Sequence, residues 1–339
     1  MTFDQRTPKP TLVSLARQVG VSRQTVSNVI NNPEVVKPGT REKVLAAIRA
    51  SGYRPSAIGR ALRTRRSMNL GHRLFPVADG INGAIMDRFL HSLSEEAQGR
   101  GFRVNLLTVE DDLHEVETLT DLHQGLSIDG AVLTHTYAGD PRPDRLEASG
   151  VPTVAWGRPW GKEDTGTWVD VDGGAGTEEA TLHLRSLGHT RIGFLGWQRP
   201  NNVGEDRCNG WLRGVAGLGC EDLLIESTDG LYEGAQGAKE LLARGATALV
   251  CASDSLGLGA LTAYRQQAIP TGPSIPVIGF DDTPVARAAG MSSVAQPVEA
   301  CSRQLVSMIT TQLQGMPLEN SHVILKPTLV LRNLQSFAR

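Results

Sequence analysis

The break at Gly20, between two short amphipathic stretches, constrains this chain more than any other feature. Leu12, Leu15 and Ala16 recur at helical spacing and the pattern then stops at Gly20, a residue free to take the left-handed geometry that ends a helix. Ser22 follows as an N-cap whose hydroxyl can accept an orphan backbone N–H. A second helix is expected over 23–30, with Val26, Val29 and Ile30 turned inward. Two short helices on a tight glycine-containing turn make a helix-turn-helix. The outward face of the second helix carries Arg23, Gln24, Ser27 and Asn28, side chains suited to base edges and phosphates in a major groove. Short amphipathic helix pairs occur in many folds, so the flanking sequence has to agree.

It does agree. Asn31-Asn32-Pro33 breaks the second helix, and a third is expected from a cap at Thr40 through Val44, Leu45 and Ile48 to Gly52. Tyr53-Arg54-Pro55 then opens the basic segment SAIGRALRTRRS, with Pro55 at a first helical position. Charge follows the same division. Residues 1–66 hold 13 of the 34 Lys/Arg and 3 of the 36 Asp/Glu, a balance of +10; the remainder holds 21 and 33, a balance of −12. A basic head on an acidic body suits a polyanion at one end only.

From residue 67 short apolar runs alternate with amphipathic segments, the pattern of βαβ units and a parallel sheet. Strands are expected at 102–109, 130–134, 151–156, 192–195, 248–252, 275–280, 292–295 and 328–332, with a weaker one in MNLGHRLFP. Helices are expected at 86–98, 113–123, 176–186, 205–218, 236–243, 256–267 and 298–313, and a loop at 135–143. The alternation completes once near residue 166 and then repeats. The expected architecture is an all-α helix-turn-helix head plus a two-lobed α/β core with parallel sheets. Its parts are a head at 1–54, a hinge helix at 55–66 and a core at 67–339. The first lobe takes about 67–166 and 295–326, the second about 167–294 and 327–339. Phe89, Leu90 and Leu93 fit either the core or an interface.

In open α/β sheets ligands bind beyond the carboxyl ends of strands. Asp281 and Asp282, Ser253 and Asp254, Asn201, Asn202 and Arg207, Gln296, and Trp156, Arg158 and Trp160 all fall there, with Arg207 expected in the first turn of a helix. Aromatic faces beside carboxylate, amide and guanidinium groups are what a sugar needs, because its C–H face stacks while its hydroxyls require partners. Asp254 and Asp172 read equally well as helix caps.

The chain lacks a nucleophile elbow, a phosphate loop and an H-E-x-x-H zinc motif. Cys208, Cys220, Cys251 and Cys301 have neither metal-ligand nor redox spacing. No enzyme activity, cofactor or metal is therefore expected. No apolar signal core begins the chain and no run is long enough to cross a bilayer, so a cytoplasmic, nucleoid-associated protein is expected.

In order and over the full length, TLVSLARQVGVSRQTVSNVINN, VKPGTREKV and GYRPSAIGRALRTRRS, then LRSLGHTRIGFLG, GEDRCNGW, CASDSLGLGALTAY, VIGFDD and SSVAQP, resemble the LacI/GalR family of bacterial transcription regulators. The resemblance implies a periplasmic-binding-protein-like core and a homodimer that binds near-palindromic, double-stranded operator DNA. It further implies a small effector, a mono- or oligosaccharide acting as inducer, bound between the lobes. It assigns Arg23 and Gln24 to base recognition, and Thr11, Ser22, Thr25, Asn31 and Thr40 to phosphates. Ser27, Asn28 and Tyr53 join the same face. Ser56, Gly59 and Leu62 fall in the hinge, where Leu62 would enter the minor groove. Two departures are Asn28, where a family member carries arginine, and Gly59, where alanine is usual. In the core Arg207 matches the effector clamp, Asp281 the acid on the sugar hydroxyls, and Ser253 and Gln296 further polar contacts, with Arg158 and Asn202 nearby. Asp229 and Val171 replace aromatic residues, leaving Trp156, Trp160 or the neighbouring Tyr232 to supply the stacking surface. Three other readings compete: an enzyme built on the α/β body, a transport-linked binding protein, and a regulator answering to a purine, nucleotide or partner protein.

Overall fold

The computed structural model describes residues 10–53, 64–76, 81, 83–266 and 275–332. The expected hinge positions Ser56, Gly59 and Leu62 lie outside the described residues. The chain divides into two compact units, Met1–Ser67 and Met68–Arg339.

Among its described residues the first unit is a head of three α-helices. Thr11 caps α1 (Leu12–Val19) through a reciprocal pair of bonds with Ser14, and Gly20 ends it in the left-handed region at φ 73°. Ser22 caps α2 (Arg23–Asn31), its hydroxyl accepting the Thr25 amide at 3.0 Å. Helix α3 (Pro38–Ser51) begins two residues before the expected cap at Thr40. Pro38 sits where its fixed φ suits the first helical position and its missing N–H is not needed, so Thr40 lies within the first turn. Leu15, Ala16, Val26, Val29, Val44 and Ala47 form the core of the head. With so few buried side chains, truncating the fully buried Val26 or Val44 would cost a large share of its stability.

The second unit holds two six-stranded sheets. The first lobe is built from β1 (Asn69–Arg73), α4 (Gly83–Gly99), β2 (Arg103–Leu107), α5 (Asp112–Gln124), β3 (Gly130–Thr134), α6 (Arg142–Ala148), β4 (Thr153–Trp156) and β5 (Trp168–Val171). The second contains α7 (Gly173–Ser186), β6 (Ile192–Trp197), α8 (Asn202–Gly214), β7 (Leu224–Ser227), α9 (Leu231–Ala243), β8 (Ala248–Cys251), α10 (Asp254–Gln266), β9 (Val277–Phe280), α11 (Pro284–Ala288) and β10 (Ser292–Ala295). The chain then returns: α12 (Val298–Leu313) and β11 (His322–Leu325) complete the first lobe, and β12 (Thr328–Val330) the second. The sheet orders are β11-β5-β4-β3-β1-β2 and β12-β10-β9-β8-β6-β7, parallel except where β12 pairs antiparallel with β10.

Several expectations need correction. Strand β5 was not foreseen, and it is hydrogen-bonded in the first sheet, so the lobe change falls after Val171 rather than at 166. Helix α6 occupies part of the expected loop at 135–143, and β7, α11 and β11 are further additions. Phe89 and Leu93 are fully buried between α4, α12 and the sheet, which makes them core and not an interface. Only Leu90 is half-exposed.

Packing fixes the site. In the second lobe α7 and α8 lie so close that a Cβ on Gly210 would stand 1.9 Å from the Gly174 carbonyl oxygen. Trp211, one turn from Arg207 on α8, is fully buried and donates to the Ile192 carbonyl at 3.1 Å, which locks α8 onto β6. In the first lobe the Glu115 carboxylate, 1% exposed, accepts from both Arg73 (3.1 Å) and Arg142 (2.9 Å). Arg142 also donates to the Thr134 carbonyl at 3.0 Å, which pins the loop after β3. A buried charge this enclosed is tolerated because two guanidinium groups offset it, both at Oε2, although Oε1 is left without a hydrogen-bond partner.

Candidate effector cleft and DNA-recognition face

On the head, Ser22, Arg23 and Gln24 stand exposed at the start of α2, and Ser27 and Asn28 are half-buried one turn on. Gln24 donates to the Asn28 carboxamide at 3.0 Å and Asn31 to the Ser27 carbonyl at 2.8 Å, holding these amides in a fixed array. Thr11, Ser22 and Thr25 cluster at the amino ends of α1 and α2, where free backbone N–H groups favour anions. Tyr53 instead packs against the core of the head, and burial raises its phenol pKa.

Between the lobes of the second unit lies a cleft of about 380 Å³. Trp156 and Trp160 face it from the first lobe, and Trp197 and Arg207 from the second, with Gln296 at a crossing strand. Arg207 comes from the second turn of α8, not the first, because α8 starts at Asn202. Its guanidinium lies over the Phe280 ring at 3.6 Å and near the Trp197 ring at 4.9 Å, a cation held on two aromatic faces. It donates to the Ala252 carbonyl, and its Nη2 stands 3.8 Å from Asp281. Burial lowers the pKa of Arg207. Asp281 accepts from the Gln296 amide at 2.6 Å, and burial pushes it up to about 6 against the pull of Arg207 and Gln296. Asp281 and Asp282 have φ of 106° and 51°, values that L residues rarely adopt, so the turn after β9 is a strained one at the site. The Trp197 Nε1 and the Arg207 Nε are buried without a hydrogen-bond partner.

The lobes also touch directly. Asn202 accepts the Ala138 amide at 2.9 Å, and Arg158, bound to Asp170 at 2.6 Å, reaches Asp206 at 3.7 Å. Burial raises the pKa of Asp206.

Residues 11–56 match the family model described as "Bacterial regulatory proteins, lacI family", and residues 181–333 match "Periplasmic binding protein-like domain". A curated relative, the HTH-type transcriptional regulator CelR of Thermobifida fusca, is 33% identical over 343 residues, covering 97% of this chain and 99% of CelR. The chain belongs to the lacI family. Like the relatives it matches, this regulator is a DNA-binding transcription factor and not an enzyme. The structure titled as a CelR–cellobiose complex is 30% identical, covers 95% of this chain and 99% of that one, and superposes with a TM-score of 0.68. A lac repressor dimer bound to operator and the anti-inducer ONPF shares the fold, with a TM-score of 0.81 at 22% identity over 96% of this chain and 98% of that one.

The regulator's cleft therefore gathers Trp156, Trp160, Asn202, Arg207 and Gln296 from the expected set, with Asp281 buried behind Arg207 and Arg158 beside the lobe contact. Besides Asp281 and Arg158, two more expected residues do not line it. Ser253 is buried with its hydroxyl donating to Asp229 and accepting the Leu256 amide, so it anchors α10. Tyr232 is 71% exposed on α9 and is not part of the cleft lining. Trp156 gives one face to Phe89, with ring centroids 4.2 Å apart, and is thus as much a core residue as a wall. Trp197, Asp170 and Asp206 were not foreseen. The indole at the carboxyl end of β6 was the missed signal, since that position is where ligands bind in such sheets. Among the described residues no helix is long and apolar enough to cross a membrane.

Proposed function

We propose that this regulator is a repressor whose affinity for a near-palindromic operator is lowered by a sugar, a mono- or oligosaccharide, bound in the cleft. The observation that carries the reading is the cleft wall: an indole from each lobe, Trp160 and Trp197, with the Trp197 Nε1 and Arg207 Nε buried and unpartnered. Sugar rings stack on such faces, and their hydroxyls supply the missing partners. A relative titled as a cellobiose complex supports the same ligand class. Arg207 clamps the sugar, Asp281 and Gln296 orient that clamp, and Asn202 and Arg158 join the lobes around it. Arg23 and Gln24 read bases, while Thr11, Ser22, Thr25, Asn31 and Thr40 hold phosphates. Ser27 and Asn28 complete that face, and Ser56, Gly59 and Leu62 belong to a hinge helix formed between two copies of the chain. The protein acts as a cytoplasmic, nucleoid-associated homodimer. A sugar shifts operator affinity only through its differential affinity for the two lobe arrangements. The test is operator affinity measured against a panel of sugars and nucleotides. Weaker operator binding with a sugar is expected. Stronger operator binding with a purine or nucleotide, and no response to sugars, would overturn the reading in favour of a corepressor.

A further inference from the structure

The first sheet has a gap in its cover, and the gap adjoins the cleft. Successive parallel strands need a long crossover, usually a helix packed on the sheet. Helices α4, α5 and α6 serve β1 to β4 in this way, but β4 and β5 are joined by residues 157–167 without a helix. What remains beside α6 is a groove of about 330 Å³, floored by Leu133, Ala155 and Trp168 and walled by Pro159 and Trp160 of that connection. Thr136, Tyr137, Gly157 and Trp160 line both groove and cleft, so the two spaces adjoin and share the Trp160 indole as a wall. The groove follows β4 from Gly157 back to Thr153, roughly 13 Å at the usual rise of a strand, which is longer than one pyranose ring.

Its lining is amphipathic. The floor is apolar, yet two of the lining residues carry a buried polar atom without a partner: Gln312 Oε1, whose amide nitrogen already donates to Thr167 at 2.8 Å, and Trp160 Nε1. One is an acceptor and the other a donor. A ligand that answers both while covering an apolar floor carries hydroxyls on an otherwise apolar ring face.

We propose that this groove is an extension subsite that holds the further glycosyl units of an oligosaccharide whose first unit sits in the cleft, an inference that rests on the cleft's taking a sugar. Trp160 is then the shared wall between consecutive rings, and the regulator measures chain length as well as sugar identity. A monosaccharide fills the cleft and leaves the groove, with its two unpartnered atoms, unanswered.

The test uses the full chain and calorimetric titration with two series, glucose, cellobiose, cellotriose and cellotetraose, and maltose to maltotetraose. In one series affinity is expected to rise about tenfold when the added unit enters the groove, a step of the size that one good stacked ring supplies. Asp144→Trp fills the groove from exposed α6; the ion pair it removes, with Lys162 at 3.2 Å, is exposed on both sides and contributes little to stability. This variant should lose the step while binding the shorter member as the parent does. Gln312→Ala should reduce the step without touching the α6 surface. Equal affinity for all lengths in the parent, or a step that survives Asp144→Trp, overturns the groove and leaves the cleft reading intact. If no member of either series binds a protein that still binds its operator, the sugar reading of the cleft falls and the groove falls with it.

Discussion

Replacing Arg207 with alanine tests the clamp and its electrostatics together. The guanidinium is 5% exposed, held between the Phe280 and Trp197 rings, and faces the 8% exposed Asp281. Each charge-assisted hydrogen bond it makes to a sugar is worth about 1.5–3 kcal/mol, so Arg207→Ala should weaken effector binding roughly 10- to 150-fold. Operator affinity without effector should be unchanged, because Arg207 lies in the core unit and not on the head. Stability should change with pH in a defined direction. In the parent, burial holds Asp281 at about 6 against its usual 3.8, a raised folded-state value, so its ionised form disfavours folding by about 3 kcal/mol once pH exceeds 6. That penalty disappears as pH falls through 6 towards 4. Arg207 is the main group pulling the value down, so its removal raises Asp281 further. The variant should therefore lose most stability, relative to the parent, at pH 8 and much less at pH 5. The assays are operator affinity against effector concentration and thermal melts at both pH values. A variant with the parent's half-effective concentration refutes the clamp. An equal loss of stability at pH 5 and 8 refutes the Arg207–Asp281 coupling.

Asp254, which accepts from the Thr283 amide and the Ser293 hydroxyl, is pushed up to about 7 by burial and by Asp281, so Asp254→Asn should raise the melting temperature at pH 8 and flatten its rise towards pH 5. A melting temperature lower than the parent's at pH 8 would mean that hydrogen bonding, not charge, decides there. Arg23→Ala or Gln24→Ala should relax base preference by about 1–3 kcal/mol per lost bidentate contact, read by competition among operator variants. Leu62→Ala should weaken specific binding far more than binding to random DNA, because a wedge contributes only where the duplex is bent; equal losses in gel shift would sink the hinge-wedge idea.

The head was legible because its signals are local. Gly20, Ser22 and Gly52 act within a few residues of themselves, and each ends or starts a helix where expected. Thr40 misled because two local signals compete there, and the prolyl ring at Pro38 outranks a hydroxyl two residues on. In the core the apolar runs were read and the polar ones were not. Strand β5 is fully buried, yet Asp170 within it looks like a surface residue until Arg158 is seen to satisfy it at 2.6 Å. The cleft residues at strand ends were legible from topology alone. The failures at Ser253 and Tyr232 are matters of side-chain environment, which depends on neighbours far away in sequence: Asp229 captures the first, and the second is left exposed on α9.

The return of the chain sets an order for synthesis. Helix α12 supplies Val298, Cys301, Leu305 and Ile309 to the core of the first lobe, and β11 is the edge strand beside β5. Helix α12 leaves the ribosome roughly 130–140 residues after β5 and β11 roughly 150, which at 5–20 residues per second is about 6–30 s. The head can close as soon as Ser51 emerges, while the first sheet waits with one face covered only by α4 and one edge unpaired until α12 and β11 emerge. A nascent chain stalled before Val298 would thus present a finished DNA-reading module tethered to an open, adhesive sheet.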